Sequence, residues 1–178
     1  MKKSLARNGC VCAVLLAWVV VAPGMMAAEA RDPLEPLAFL VGHCWQGTFA
    51  GGDRTDLHCF SRIYGGKFLR DEHTVRRADG RTELSGECVY LWDSAARQLQ
   101  YFYFEDTGGF TRGTVTTDKD ALVFPPSTYI DNGQSMSIRS RWQRAGDDAY
   151  DVVTEFEVQG RWVPGFAAHM KKVRNGTS

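Results

Sequence analysis

Ten short segments of β-type residues follow one another along this chain, each separated from the next by residues that favour chain reversal. A spacing near ten residues is typical of an antiparallel sandwich or barrel. Hairpin-length connections throughout favour an up-and-down order, and closure into a barrel removes the exposed sheet edges. The sequence therefore predicts an all-β, antiparallel up-and-down β-barrel of about ten strands. These are expected at about 44–50, 55–64, 67–76, 82–92, 97–105, 109–117, 120–125, 134–144, 149–158 and 161–173.

The pattern within several segments supports this interpretation. In the segment 149–158, apolar or small residues from Tyr150 to Val158 occupy alternate positions, with Asp151 and Glu155 between them. Half-buried antiparallel strands show this alternation. The single helical candidate is 33–41, a short N-terminal helical turn that would lie across one end of the barrel.

The first thirty residues read as a leader rather than as part of the fold. A basic start is followed by the apolar run 11–21, which has signal-peptide length and is short for a membrane span. Ala28-Glu29-Ala30 offers a cleavage site. We therefore expect a signal peptide at 1–30, a single domain at 31–178, and a protein that is exported, either periplasmic or secreted.

Charge narrows the classes of partner. The chain has 21 basic and 21 acidic residues, and loss of Lys2, Lys3, Arg7 and Glu29 with the leader would leave a net charge of −2. Such a near-balance argues against nucleic acid as a main partner. No apolar run of spanning length remains after residue 30, so no transmembrane segment is expected in the mature chain.

Four short motifs follow one another along the domain: 39–47 (FLVGHCWQG), 65–69 (GGKFL), 89–93 (VYLWD) and 160–163 (GRWV). In this order and spacing the chain resembles the bacterial lipocalin-like (calycin-type) exported proteins of unknown function. It is more distantly similar to the nitrobindin and fatty-acid-binding protein barrels. The resemblance implies a β-barrel with an internal cavity, but a fold does not name a ligand.

The same resemblance implies a structural role for the first motif. In lipocalin-like barrels the opening Trp, here Trp45, plugs the closed end and often stacks on a basic side chain of the last strand. Gly42 and Gly47 would then serve the close approach of backbone segments. We expect these three residues to form the plug of the barrel.

Three cysteines follow the leader. Cys44 and Cys59 flank the Gly51-Gly52 turn symmetrically, so that a simple hairpin would place them opposite each other at a distance that suits a disulfide. Export would favour such a bond. Pairing of either residue with Cys88, or three buried free thiols, are the alternatives.

The pairs His43-Cys44 and His58-Cys59 invite a zinc interpretation. Adjacent strand residues point to opposite faces, so each pair would offer one ligand to a common site, whereas structural zinc takes four. No metal site is expected from these residues.

Aromatic residues on central strands are the evidence in the sequence for a ligand pocket, since pockets for small molecules are mostly apolar. Arg70, on the same face as Phe68, would suit the carboxylate of a ligand. The expected ligand-binding residues are Phe68, Arg70, Tyr101, Tyr103, Trp142, Tyr150 and Phe156. The alternative is a solid core with solvated outer arginines.

His169 raises the question of haem, because nitrobindin-like barrels hold haem iron with a histidine of the final strand. Its facing depends on the last hairpin. A two-residue turn at Gln159-Gly160 would point His169 inward. A three-residue turn would point Trp162, Phe166, Ala168 and Met170 inward, which buries more apolar area and is therefore preferred, although a bulge at Pro164 would reverse it.

Function is constrained mainly by exclusion. The sequence carries no G-x-S-x-G, H-E-x-x-H, G-K-[ST] or C-x-x-C motif, so a binding role is favoured over catalysis and no cofactor is expected. The first hypothesis is a small apolar or amphipathic ligand inside the barrel. The alternatives are an envelope scaffold that uses loops such as 125–134 and, less favoured, haem binding through His169.

Overall fold

The computed structural model describes residues 31–174; the predicted leader lies outside the described residues. A 3₁₀ helix, Glu35–Leu40, precedes ten strands. The strands are β1 (Cys44–Thr48), β2 (Arg54–Ile63), β3 (Phe68–Arg77), β4 (Thr82–Asp93), β5 (Gln98–Glu105), β6 (Phe110–Asp118), β7 (Ala121–Asp131), β8 (Gln134–Arg144), β9 (Ala149–Val158) and β10 (Arg161–Val173).

All ten strands form one closed antiparallel barrel. Each strand pairs with its neighbours in sequence, and β1 pairs with β10 to close the ring. This confirms the prediction of an all-β, up-and-down barrel of ten strands. Within 31–174, no helix has the length and apolar character needed to cross a membrane.

The helical turn expected at 33–41 is only a short 3₁₀ segment. It nevertheless contributes to the core, because Leu34, Leu37 and Leu40 are almost completely buried. They pack with Trp45 and Met170 in the main hydrophobic cluster at the base of the barrel.

The predicted loop at 125–134 is wrong. Strand β7 continues through it to Asp131, and the reversal is confined to Asn132-Gly133. The two prolines that suggested a loop lie where the β7–β8 register shifts, between Phe124 and Ser127. A bulge tolerates residues without an N–H, so the strand resumes beyond them. The surface proposed for a scaffold role is therefore mostly barrel wall.

The last hairpin does not have the three-residue turn that was preferred from the sequence. Its turn is the two-residue form, since Arg161 pairs with Val158 and Val163 with Phe156. A register shift between Pro164 and Phe166 then inverts the facing of the rest of β10. Ala168 and Met170 are consequently buried. Because of the bulge, Ala168 and Met170 point inward, as they would have done after a three-residue turn without a bulge.

A disulfide joins Cys44 and Cys59, which are paired residues of the β1–β2 hairpin. The predicted bond is confirmed, and Cys88 remains as a buried free thiol. The bond links the first two strands at the end of the barrel where the 3₁₀ helix packs.

Candidate functional site

The barrel contains a cavity of about 560 Å³. It reaches from the buried side chains of Tyr90 and Trp142 to the exposed residues Arg54 and Thr107 near the strand ends opposite the 3₁₀ helix. Its volume lies within the range of about 300–1,000 Å³ that is usual for small-molecule pockets. The interior is therefore a usable space and not a solid core.

One part of the wall is aromatic. Tyr101, Phe124 and Trp142 pack in series, with ring centroids 5.5 Å apart for Tyr101–Phe124 and 4.8 Å apart for Phe124–Trp142. Val152 and Phe156 extend this wall along β9. It offers apolar contact without a buried charge.

The other part of the wall is polar and is built by β2 and β3. Alternate residues of β2 face inward, which places Asp56 and His58 on one side of the sheet with buried Phe60. Asp71 and His73 do the same on β3, between buried Leu69 and Val75. Cross-strand pairing sets His58 opposite His73. These four polar side chains therefore form one cluster in the barrel wall.

The cluster is held by short contacts between imidazole and carboxylate. His58 Nδ1 lies 2.8 Å from Asp71 Oδ2, and His58 Nε2 lies 3.1 Å from Asp56 Oδ2. His73 Nε2 lies 2.7 Å from Asp56 Oδ1. The two imidazole rings stack with centroids 4.4 Å apart and planes 10° apart. Both Nε2 atoms thus approach the same carboxylate.

Ionisation in the cluster is strongly perturbed. Burial by itself lowers the pKa of His58, but the carboxylates of Asp71 and Asp56 outweigh it and raise that pKa well above its ordinary value. Burial raises the pKa of Asp56, but the contacts of Asp56 with His58 and His73 outweigh burial and hold this pKa below its ordinary value. The two shifts favour an ion pair inside the barrel.

A second set of hydrogen bonds joins the cluster to β5. The Tyr103 hydroxyl lies 3.3 Å from His73 Nδ1 and donates to Glu105 Oε2 at 2.9 Å. Tyr129 also donates to Glu105. Burial, together with the neighbouring Glu105 carboxylate, raises the pKa of Tyr103. The phenol therefore stays protonated and able to donate.

The expected ligand-binding residues divide into two groups. Four of them, Tyr101, Tyr103, Trp142 and Phe156, line the cavity. Phe68 and Arg70 occupy the opposite face of β3 from buried Leu69 and Asp71. On that outer face the Arg70 guanidinium donates a hydrogen bond to Glu72 Oε2 at 3.0 Å.

The seventh residue, Tyr150, lies below the cavity. Its ring is completely buried and stacks on Trp142 at 5.5 Å between centroids. Its hydroxyl has no hydrogen-bond partner among the described residues. Tyr150 therefore separates the cavity from the core of the base.

The three plug residues also lie at this end. Trp45 is completely buried, 5.1 Å from the Tyr150 ring, and Lys172 Nζ lies 5.2 Å from its ring centroid. Gly42 has a φ of 77°. A Cβ at Gly47 would lie 2.5 Å from Met170 Sδ and 3.1 Å from the His169 carbonyl oxygen, so a larger residue there would require its neighbours to shift.

His169 lies on the outer surface of β10. Its side chain is about half exposed, and Nδ1 is 2.6 Å from Asp151 Oδ1. It is absent from the cavity lining, whereas its buried neighbours Ala168 and Met170 face inward. A histidine in this position cannot coordinate a group held inside the barrel.

Reasoning from sequence did not assemble the polar cluster, although it weighed His58 with Cys59 as a zinc pair and expected no site there. The available signal was Asp56-x-His58-x-Phe60 on one predicted strand and Leu69-x-Asp71-x-His73-x-Val75 on the next. In each case polar residues share a face with apolar ones. The face of β3 that contains Phe68 and Arg70 competed with this pattern, and only the strand pairing shows that Asp71 has a histidine partner.

Comparison with known proteins supports the architecture. No protein-family model matches the chain, and no curated protein matches it. Among solved structures it is similar to the crystal structure of Rv2717c from M. tuberculosis, with 15% identity and a TM-score of 0.61. The match covers 82% of this chain and 100% of that chain. At this identity the likeness shows the fold alone.

Proposed function

We propose that the protein binds a small amphipathic molecule inside the barrel. The observation that carries the proposal is the cavity of about 560 Å³, with an aromatic wall on one side and the His58–His73 cluster on the other. An apolar pocket with a few convergent polar groups is the usual form of a small-molecule site. The apolar part of the ligand would pack on Trp142 and Phe124, and its polar group would face the histidines.

The rim adds charged groups near the surface. Arg54 and Arg139 line the outer part of the cavity together with Glu83. Arg54 lies 3.7 Å from Glu83, and Arg139 lies 2.6 Å from Glu155. These arginines are already paired with carboxylates, so the polar wall inside the cavity is the better candidate for recognition of the ligand.

We also propose that this binding takes place outside the cytoplasm. The leader-like segment 1–30 and the Cys44–Cys59 disulfide both support export, because disulfides persist in oxidising compartments. Fractionation of the cells that make this protein, followed by N-terminal sequencing, tests this point. A full-length chain recovered from the cytoplasm with reduced thiols would contradict it.

Binding is tested with 11-(dansylamino)undecanoic acid, a fluorescent amphipathic probe, and by native mass spectrometry of the purified protein. We expect saturable binding and energy transfer from Trp142. The variant Val152→Trp, which fills the cavity, should weaken binding at least about tenfold, since every 1.4 kcal/mol of lost contact is tenfold in affinity.

The matched control is Val153→Trp, the next residue of β9, which is exposed on the outer face. It should bind the probe as the unaltered protein does. Circular dichroism and thermal unfolding establish that both variants keep the barrel. The proposal fails if the unaltered protein binds no probe and releases no bound molecule, or if both variants bind equally well.

A further inference from the structure

The two imidazoles in the cavity wall are arranged as metal ligands are. His58 and His73 both direct Nε2 toward the Asp56 carboxylate, and the three possible ligand atoms lie within 4.8 Å of one another. A tetrahedral Zn²⁺ with bonds of about 2.1 Å needs ligand atoms about 3.4 Å apart. The two Nε2 contacts with Asp56 are 3.1 Å to Oδ2 and 2.7 Å to Oδ1. They would have to lengthen by roughly 0.3 Å and 0.7 Å, with one carboxylate oxygen turned toward the ion, to reach that spacing.

The remaining nitrogen of each ring is already occupied. His58 Nδ1 faces Asp71 Oδ2 at 2.8 Å, and His73 Nδ1 lies 3.3 Å from the Tyr103 hydroxyl. Histidines that bind metals almost always engage their other ring nitrogen in this way, most often with a carboxylate, which fixes the ring and leaves the free nitrogen for the ion. The outer partners are thus present as well as the ligands.

The inner contact is close but is not a hydrogen bond. Asp56 Oδ1 and His73 Nε2 are 2.7 Å apart, yet both atoms are buried without a hydrogen-bond partner among the described residues. Only 5% of the Asp56 surface is exposed. Buried polar atoms are normally satisfied, and a cation between these two atoms would contact both.

Charge also favours a divalent cation. Asp56 and Asp71 are buried carboxylates on the two sides of His58. Carboxylates are buried at a large cost unless opposite charge accompanies them. A divalent ion bound by neutral imidazoles would match the charge of the two carboxylates and would replace the ion pair between His58 and these carboxylates.

We propose that Asp56, His58 and His73 bind one divalent first-row metal ion, and Zn²⁺ is one ion that takes two imidazoles and one carboxylate. Three protein ligands leave a coordination position free. All three residues line the cavity, so this position faces its interior. As an extension that rests on the proposed function, the polar group of the cavity ligand is one that coordinates metal, such as a carboxylate.

The test is titration of the purified, chelator-treated protein with Co²⁺, followed by visible absorption, and with Zn²⁺, followed by calorimetry. We expect one ion per chain and visible bands that Zn²⁺ displaces. Asp56→Asn and His73→Gln should each weaken Zn²⁺ binding by more than about 100-fold. Tyr103→Phe, which removes only an outer partner, should weaken it by roughly 10-fold, because outer partners typically contribute 10- to 100-fold.

The matched control is His169→Gln. His169 also contacts an aspartate, Asp151, but lies on the outer surface without a second histidine beside it. Its removal should leave the stoichiometry, the Kd and the visible spectrum unchanged. If a ligand variant unfolds, Tyr103→Phe and the metal-dependent rise in Tm of the unaltered protein still decide the question.

The proposal is overturned if the unaltered protein binds no ion stoichiometrically, or if binding survives both Asp56→Asn and His73→Gln. The two proposals fail separately. If the protein binds the dansylated probe in the presence of chelator but binds no metal ion, only the metal site is disproved. Metal binding without probe binding removes only the proposed function. A probe affinity that is unchanged by Zn²⁺ removes the extension to a coordinating ligand.

Discussion

Tyr150 and Tyr101 both have buried rings, but their hydroxyl groups are in different situations. The Tyr101 hydroxyl lies 2.9 Å from Ser127 Oγ, which also contacts Thr111. The Tyr150 hydroxyl is buried without a hydrogen-bond partner among the described residues. Burial is the first cause of the raised pKa of both groups, so both stay protonated.

This difference predicts opposite effects of removing the oxygen. Tyr101→Phe should lower the free energy of unfolding by about 0.5–1.5 kcal/mol, since it removes a hydrogen bond. Tyr150→Phe should leave it unchanged or raise it, because loss of an unsatisfied polar group ends its desolvation cost. Urea denaturation of both variants, followed by tryptophan fluorescence, measures the two values. A larger loss for Tyr150→Phe would show that its hydroxyl has a partner.

Among the structural elements, the β1–β2 hairpin is cross-linked by a disulfide at the end away from its turn. The Cys44–Cys59 bond lies farthest from the turn and closes a loop with a sequence separation of 15 residues. In the chain-entropy view, a bond of this span restricts the unfolded chain and stabilises the fold by about 3 kcal/mol. It also holds β1, which has only 5 residues, against β2.

We expect the double variant Cys44→Ser/Cys59→Ser to lose about 2–4 kcal/mol of unfolding free energy, with a lower Tm. Reducing agent should produce a similar loss in the unaltered protein and little further change in the variant. The same treatment applied to the variant serves as the control for the buried thiol of Cys88. Equal stability of oxidised and reduced protein would contradict this account.

The last hairpin shows how an element can defeat reasoning from turn length. The sequence suggested both a two-residue turn and a bulge at Pro164 as possibilities. It did not show that the hairpin contains both. Alternation tells which residues of β10 share a face, but it tells which face is inward only when the facing of one residue is already known. The register shift after Pro164 exchanges the inward and outward faces for the rest of the strand. Ala168 and Met170 are therefore buried, while His169 is exposed.

For the whole molecule, closure of the base depends on residues that precede the first strand. Leu34, Leu37 and Leu40 are at most 1% exposed and belong to the same cluster as Trp45 and Tyr150. The 3₁₀ segment is too short to be stable alone. Its packing against the barrel must therefore supply its stability and, in return, seal the base.

Leu37→Ala should lower the free energy of unfolding by about 2–5 kcal/mol, the usual cost of truncating a fully buried leucine. Glu35→Ala, at an exposed position of the same segment, should change it by less than about 0.5 kcal/mol. Thermal and urea unfolding of both variants measure the difference. Equal stability of the two would show that the segment does not belong to the core.

The sequence by itself predicted about ten strands in antiparallel order and offered Cys44–Cys59 as one of the possible disulfides, which the structure selects. These are local properties, because turn residues, alternation and the symmetry of a hairpin involve neighbouring parts of the chain. Tertiary structure decided the facing of β3, the continuation of β7 through its prolines and the outward position of His169. It also decided the meeting of Asp56 and His58 with Asp71 and His73. These features depend on which strand lies beside which, at what register, and period-two alternation leaves both faces open until that pairing is fixed.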